Sequence, residues 1–269
     1  MTDYPYYHVD AFAGRPFTGN QAAVMPLESW LDDAILQAIG EENNFAETAF
    51  YLPDATGETD YELRWFTPEL EIALCGHATL ATGHIILDQN RNMDQVRFRT
   101  RKAGILEVKR DGDGYALALP AYPPAPKDLP DAISALCVAK DYEPLESQFH
   151  EGRYSVYLFD TAEQVLSLKP DMKALAAMGD WQFIATAPGK DTDVLSRVFV
   201  PGAGVDEDSV TGSAHAVLTP YWANRLGRDS FTAYQASKRG GYVDCRLDGE
   251  KAWLGGKCVT VVKGSFILP

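Results

Sequence analysis

The sequence lacks the marks of several common protein classes. Its four cysteines are scattered and form no CxxC pair. The N-terminus has no basic start followed by an apolar run, so a secretory signal peptide is not expected. No stretch approaches the roughly 18 apolar residues that a membrane helix needs. A cytoplasmic protein with reduced thiols is therefore the expectation.

Positive charge is also scarce. The 269 residues include 24 Lys and Arg against 38 Asp and Glu, which gives a formal net charge of -14. An acidic protein repels phosphate backbones. The most basic stretch, RFRTRKAG at 97–104, alternates its charges as a solvated strand does. Nucleic acid is therefore not an expected partner, and neither is a membrane.

Signature motifs for nucleotides, serine nucleophiles and metals are missing as well. The chain has no GxGxxG, no Walker pattern and no GxSxG. Cys75, His77 and His84 lie in one stretch, ALCGHATLATGH. On a helix, however, His77 and His84 would be separated by two turns and would lie ~10 Å apart along the axis, which is too far for both to bind one ion. The sequence therefore predicts no metal and no cofactor.

What the sequence does contain is a weak internal repeat. RWFTP at 64–68 resembles RVFVP at 197–201, and GHAT from Gly76 resembles GSAH from Gly212. The repeat predicts a duplication with two similar lobes. We expect an N-terminal lobe over 1–118, a proline-rich linker over 119–130 and a C-terminal lobe over 131–259.

In each half, a strand ends in proline and a helix is predicted to start soon after, at Gly76 or at Gly212. The first turn of a helix has free N–H groups and a partial positive charge, which suits a carboxylate or phosphate. The alternative is that the two glycines only permit tight turns. Two copies at matching positions favour a small anionic ligand in a cleft between the lobes.

Three side chains near these helix starts are candidates for chemistry. Glu47 lies among apolar residues in NNFAETAFY, which suits a general acid or base, although it could be an exposed glutamate at a strand start. Asp208 could be catalytic or could simply cap the second helix. Cys75 could be a nucleophile, but a buried small residue is the favoured interpretation, because free cysteine is usually buried.

Four segments of the chain carry a family resemblance: DAFAGRPFTGNQAAV, NNFAETAF, LRWFTPELEIALCGHATLATGHII and DEDSVTGSAHAVL. Together they resemble the phenazine-biosynthesis PhzF-like proteins, and the resemblance covers nearly the whole chain. It implies the α+β fold of diaminopimelate epimerase: two similar lobes, each a curved, mostly antiparallel sheet around a central helix. It also implies an active site in the cleft, cofactor-free chemistry, a homodimer, and a last strand (260–269) that returns to the first lobe.

The same resemblance assigns residue roles. It implies catalytic roles for three side chains and substrate binding for four residues, two of them through their backbone amides. It also places Ser209 where the related epimerases have their second cysteine, so a two-thiol racemase is not expected. The catalytic residues are Glu47, His77 and Asp208, and the substrate-binding residues are Asn20, Gly76, Gly212 and Ser213.

The function implied is a cofactor-independent isomerase that shifts a proton on a small carboxylic acid. Two alternatives stay open: an amino-acid-type epimerase or racemase, and a non-catalytic protein that binds small acids. The sequence departs from the common family pattern at Gln21, Ala78 and Ser209. These changes leave the acid/base residue in place, but they lie in the loops that would select the substrate, so the resemblance does not identify the substrate.

Overall fold

The computed structural model describes residues 1–268. The strands are β1 (Thr2–Ala11), β2 (Asn20–Pro26), β3 (Glu47–Pro53), β4 (Tyr61–Phe66), β5 (Glu71–Ile72), β6 (Gln95–Thr100), β7 (Ile105–Asp111), β8 (Gly114–Pro120), β9 (Ala125–Pro126), β10 (Glu146–His150), β11 (Tyr154–Leu158), β12 (Gln182–Pro188), β13 (Val194–Val200), β14 (Val205–Glu207), β15 (Ser230–Gln235), β16 (Gly241–Asp248), β17 (Lys251–Gly256) and β18 (Cys258–Leu268). The helices are α1 (Asp33–Asn43), α2 (Gly76–Gln89), α3 (Pro130–Leu136), α4 (Ala162–Leu166), α5 (Met172–Ala176) and α6 (Gly212–Leu226).

The chain divides into two compact units. Unit 1 comprises residues 1–119 and the C-terminal residues from 255 onward, and unit 2 comprises residues 120–254. The C-terminal strand β18 belongs to unit 1 because it pairs antiparallel with β1 along its whole length.

The two units repeat one order of strand pairing. In unit 1, β2 runs parallel to β3, β3 antiparallel to β4, and β4 antiparallel to β5 and parallel to β6. In unit 2, β11, β12, β13, β14 and β15 repeat these pairings in the same sense. The predicted α+β fold, with two similar and mostly antiparallel lobes, is confirmed.

A buried helix lies against the sheet in each unit. Helix α2 packs against β1, β2, β3, β6, β7 and β18, and α6 packs against β11 and β16. Small residues allow α2 to approach closely: a Cβ added at Gly83 would lie 2.4 Å from Val108 Cγ1. A helix that is apolar on all sides is expected to be buried. Among residues 1–268, none of the helices combines the length and apolar character that a membrane span requires.

An arginine–glutamate pair recurs at the same place in both units. In unit 1, Arg64 Nε lies 2.8 Å from Glu71 Oε1 and its Nη2 lies 2.9 Å from Oε2. In unit 2, Arg197 makes the same two-pronged contact with Glu207, at 2.8 and 3.0 Å. Two-pronged pairs of this kind add geometric specificity as well as energy. They join β4 to β5 and β13 to β14, the elements that lead into α2 and α6.

From Pro120 onward, the proline-rich segment 119–130 belongs to unit 2 and is hydrogen-bonded to other residues of that unit. Ala121 N–H donates to the Glu250 carbonyl at 2.8 Å, and Tyr122 N–H donates to the Ala216 carbonyl at 3.1 Å. Strand β9 pairs antiparallel with β10. Proline suits an extended strand at the edge of a sheet, because its φ angle is fixed and it has no N–H to donate to a neighbouring strand. The segment is therefore extended and hydrogen-bonded to other residues of unit 2.

Candidate active site

Both helix starts carry the local structure that the sequence predicts. Cys75 and Thr211 are the N-cap residues, both in extended conformation, and α2 and α6 begin at Gly76 and Gly212. Within the described chain, neither N-cap side chain makes a capping hydrogen bond. Each helix therefore presents the amides of its first turn without a cap from its own N-cap side chain, an arrangement that suits an anion.

The end of α1 and the start of β3 place Glu47 beside the start of α2. Helix α1 ends at Asn43, and the next residue, Asn44, takes the left-handed conformation (φ 48°, ψ 35°) that turns the chain. Asn43 Nδ2 then donates to Thr48 Oγ1 at 2.9 Å. Strand β3 begins at Glu47, which pairs with Ala22 of the parallel strand β2.

Four side chains meet at this point of unit 1. His77 Nε2 lies 2.9 Å from Glu47 Oε2, an ion-pair distance. The other ring nitrogen, Nδ1, lies 3.2 Å from Asn20 Nδ2 and 3.6 Å from Cys75 Sγ. Asn20, Cys75 and His77 are buried, whereas the Glu47 side chain keeps 15% of its surface exposed. The one carboxylate of the group is thus also its most accessible member.

The contact between Glu47 and His77 is close but poorly aligned. Although Nε2 is 2.9 Å away, the buried Oε2 accepts no hydrogen bond of good angular geometry from any residue in 1–268. Charge attraction between the two groups persists at this distance, because an ion pair depends less on angle than a hydrogen bond does. Glu47 therefore has a buried oxygen with unused accepting capacity.

Burial and neighbouring charge set the ionisation of Cys75 and His77. Burial, reinforced by the charge of Glu47, raises the pKa of Cys75 to about 11, so its thiol stays protonated at neutral pH. Burial alone lowers the pKa of His77, but the acidic groups of Cys75 and Glu47 outweigh it and raise that pKa. Because the Cys75 thiol is neutral at pH 7, Glu47 supplies the charge that acts on His77 there.

The sulfur, nitrogen and carboxylate atoms of this cluster could hold a metal ion. One ligand atom each from Glu47, Cys75 and His77 all lie within 4.8 Å of one another. His84, which the sequence places near them along the chain, is elsewhere: its Nε2 lies 2.9 Å from Thr260 Oγ1. Strand β3 thus supplies the third ligand atom, which no spacing within ALCGHATLATGH reveals.

In unit 2, Asp208 is held before α6 but does not cap it. Its Oδ1 accepts from Ser209 N–H at 2.8 Å, and its Oδ2 accepts from the Thr211 hydroxyl at 2.6 Å. The N-cap is Thr211 itself. The buried Gln235, which the sequence does not single out, fixes the loop by accepting from Thr211 N–H at 2.8 Å and donating to the Asp208 carbonyl at 2.9 Å. Asp208 is therefore an oriented, half-buried carboxylate.

Ser213 meets Gln182 where His77 meets Glu47 in unit 1. Gln182 Nε2 donates to Ser213 Oγ at 3.0 Å. Gln182 opens β12 and pairs with Tyr154 of the parallel strand β11, just as Glu47 opens β3 beside β2. Unit 2 therefore repeats the geometry with an amide where unit 1 has a carboxylate. Aligning the starts of the two repeated strands is the signal that would have identified Gln182.

His215 takes no part in a dyad with Ser213. Its Nδ1–H donates to the Thr211 carbonyl at 2.8 Å, while Ser213 is bonded to Gln182. Burial lowers the pKa of His215 to about 4, so the ring is neutral at pH 7. Residues two apart on a helix point in different directions, and the structure agrees with that expectation.

The predicted site residues thus form two groups. Unit 1 brings together Asn20, Glu47, Gly76 and His77, and it adds Cys75 to them. Unit 2 holds the remaining three, at the start of α6: Asp208, Gly212 and Ser213.

Comparisons with known proteins agree on one family. The family model described as "Phenazine biosynthesis-like protein" matches residues 9–264. An uncharacterized isomerase of Pseudomonas aeruginosa is 41% identical over 263 residues, which is 97% of this chain and 98% of that protein. A solved PhzF-family structure from Enterococcus faecalis superimposes with a TM-score of 0.89 at 40% identity, covering 99% of this chain and all of the other.

More distant structures share the fold alone. A hydroxyproline epimerase from Agrobacterium vitis, with trans-4-hydroxy-L-proline bound, matches with a TM-score of 0.62 at 13% identity, covering 98% of this chain and 92% of that one. The predicted diaminopimelate epimerase-like fold is confirmed by these neighbours.

Proposed function

Because the chain belongs to the phenazine biosynthesis-like (PhzC/PhzF) family, we propose that it is a cofactor-independent isomerase that shifts a proton on a small carboxylic acid. The observation that carries the proposal is the pairing of Glu47 with His77 at the start of α2, with Nε2 2.9 Å from Oε2. Relatives named isomerases support the general class of reaction.

In the proposed reaction, the Glu47 carboxylate takes a proton from a carbon next to an electron-withdrawing group. The C–H electron pair moves into a new double bond as negative charge develops on the electron-withdrawing group. The carboxylic acid of Glu47 then returns the proton to another carbon, so no atom is gained or lost. A general acid/base of this kind contributes typically ~10²–10⁴-fold in rate.

His77 and the helix start are proposed to stabilise the charge that develops. Burial lowers the pKa of His77, whereas the negative charge of Glu47 raises it and so favours a protonated ring beside the carboxylate. The backbone N–H groups of Gly76 and His77 belong to the first turn of α2, where the helix carries partial positive charge. Preorganised donors of this kind cost no reorganisation when the substrate reacts.

The residues of unit 2 are proposed to bind and orient the substrate. Gly212 and Ser213 offer amides in the first turn of α6, and Asp208 presents a carboxylate held by Ser209 and Thr211. That both helix starts serve one substrate is a prediction from the sequence. Asn20 contacts His77 in the structure, so we assign it to the positioning of that ring rather than to substrate contact.

The second enzyme hypothesis, a two-base racemase, is less well supported. Racemisation by two bases requires a proton donor and a proton acceptor on opposite sides of one carbon. The Cys75 thiol has a pKa of about 11, and Ser209 stands where the epimerases have their second cysteine. The unit 2 counterpart of Glu47 is the amide Gln182, which cannot exchange protons in this way. These side chains favour a single carboxylate base.

The proposal is tested by a thermal-shift screen of small carboxylic acids, followed by proton–deuterium exchange in D₂O for each acid that binds. We expect at least one acid to raise the melting temperature and to exchange a carbon-bound proton, with NMR as the readout. A set of acids that bind without any exchange would instead support a non-catalytic small-acid-binding protein.

A further inference from the structure

We propose that Glu47, Cys75 and His77 form a binding site for a thiophilic divalent cation such as Zn²⁺, and that the bound cation switches off the proton shift. The first half of this proposal concerns binding alone. The second half rests on the proposed function, because it assumes that Glu47 is the base.

The ligand atoms are already close to the spacing that zinc imposes. Tetrahedral zinc with Zn–S near 2.3 Å and Zn–N or Zn–O near 2.0–2.2 Å separates its ligand atoms by about 3.3–3.6 Å. In the structure, His77 Nε2 lies 2.9 Å from Glu47 Oε2 and 4.0 Å from Cys75 Sγ. One ligand atom from each of the three residues lies within 4.8 Å of the others, so shifts of about 1 Å would bring the three residues around one ion.

The surroundings of the three residues fit a metal-binding cluster. Cys75 and His77 are buried, so a bound ion would be shielded from water on their side. Glu47 Oε2 is also buried and, within residues 1–268, accepts no well-aligned hydrogen bond. A cation bound by Oε2 and Nε2 would give this oxygen the favourable partner that the poorly aligned imidazole does not supply.

Asn20 provides the outer partner that a zinc-bound histidine normally has. Such a histidine uses one ring nitrogen for the metal and donates the other N–H to a carbonyl or carboxylate. Asn20 lies at Nδ1, while Nε2 faces Glu47 Oε2. Cys75 Sγ lies beside the ring, 3.6 Å from Nδ1 and 4.0 Å from Nε2. A rotation of the Asn20 amide would place its carbonyl oxygen against Nδ1–H.

Binding would change the protonation of the cluster without any redox step. The Cys75 thiol and the Nε2–H of His77 each release a proton to solvent as the S–Zn and N–Zn bonds form, since a coordinating thiol is deprotonated and a coordinating imidazole is neutral. Three protein ligands leave a fourth position for water, as in open zinc sites. With Oε2 coordinated, the Glu47 carboxylate is a much weaker base, so the proton shift is expected to stop.

The binding half is tested with the full chain, free of any metal-affinity tag. Co²⁺ is titrated while the near-ultraviolet thiolate-to-cobalt charge-transfer absorption is recorded, and Zn²⁺ is then added to displace it. We expect one Co²⁺ per chain and complete displacement by Zn²⁺. Loss of an outer partner alone typically costs ~10–100-fold in metal affinity, so loss of a ligand in Cys75→Ala should abolish the band and weaken Zn²⁺ binding by at least on the order of 100-fold.

Two further variants keep this test specific. Glu47→Gln removes a second ligand and should also weaken Zn²⁺ binding while leaving the thiolate band partly formed. Cys137→Ala removes a half-buried cysteine that lies outside the cluster and should change neither measurement. Absence of the band in wild-type protein, or equal Zn²⁺ affinity in folded Cys75→Ala protein, would overturn the inference.

The two halves of the proposal fail in distinguishable ways. If Zn²⁺ does not bind, the metal site is wrong and the isomerase proposal is untouched. If Zn²⁺ binds and proton–deuterium exchange of a bound acid stops, both halves are supported. If Zn²⁺ binds and exchange continues at the wild-type rate, inhibition is contradicted, and so is the role of Glu47 as the base.

Discussion

At the scale of single residues, the site depends on one contact that no sequence spacing reveals. Glu47 and His77 lie on β3 and α2, and only the folded sheet brings their side chains within 2.9 Å. The apolar neighbours of Glu47 indicate a candidate acid or base, but not its partner. The family resemblance assigns both residues, and the structure adds Asn20 and Cys75 as their neighbours.

The buried His215 makes stability depend on pH. Its pKa is lowered from 6.5 to about 4, chiefly by burial, so the unfolded chain takes up this proton first as the pH falls. The stability that neutral His215 contributes is therefore present above about pH 6.5 and is lost as the pH falls towards 4. The full shift corresponds to about 3 kcal/mol of unfolding free energy.

We expect His215→Gln, which keeps an N–H donor for the Thr211 carbonyl, to flatten this dependence. Urea denaturation at intervals between pH 4 and 7 measures it, as the slope of unfolding free energy against pH. The wild-type slope should exceed that of the variant by up to one proton over this window. Equal slopes for the two proteins would show that His215 is not the group responsible.

At the scale of elements, two helix starts are predictable from the sequence and the face of a third helix only in part. The predicted starts of α2 and α6 at Gly76 and Gly212 are confirmed, because glycine after an extended residue is a local signal. For α1, the apolar spacing indicates a face that contains Ile35 and Ile39, with Ser29 as a possible cap. The helix begins at Asp33 and buries Ile39 as indicated, but Ile35 is 39% exposed and Leu36 is buried instead.

The reason is that an amphipathic pattern fixes a face only when the helix boundaries are known. Leu36, Ile39 and Gly40 also follow the i, i+3, i+4 spacing of one helix face. Their burial is decided by packing against residues distant in sequence, such as Phe50 and Phe66. The sequence alone therefore does not predict which apolar residues of α1 become buried.

The close approach of α2 to β7 provides a test at this scale. A methyl group at Gly83 would lie 2.4 Å from Val108 Cγ1, so Gly83→Ala should lower the free energy of unfolding by about 1–3 kcal/mol through overpacking. Gly264→Ala is the matched control, because a Cβ there meets nothing within 4 Å. Urea denaturation of both variants gives the comparison, and an unchanged Gly83→Ala protein would contradict the packing described here.

At the scale of the whole molecule, the duplication was visible in the sequence but its chemical asymmetry was not. The repeated arginines, Arg64 and Arg197, lie in segments that align by eye. The counterpart relation between Glu47 and Gln182 appears only when strand pairing shows that each opens the second strand of a parallel pair. One unit therefore retains a carboxylate at this position and the other an amide.

The family resemblance also implies a homodimer. Size-exclusion chromatography with light scattering should then give a mass of twice the 29.6 kDa chain. The mass should stay unchanged on dilution through the micromolar range if the interface is of the stable kind, which buries at least roughly 1,200 Å². A mass of one chain at all concentrations would contradict this expectation.

The central claim is that Glu47 is the single acid/base group, and one measurement tests it most directly. Proton–deuterium exchange of a bound carboxylic acid is compared between wild-type protein, Glu47→Gln and the control Glu42→Gln, which changes an exposed glutamate of α1. We predict that Glu47→Gln slows exchange by ~10²–10⁴-fold while the protein stays folded, and that Glu42→Gln exchanges at the wild-type rate. Exchange at the wild-type rate in folded Glu47→Gln protein would contradict the account.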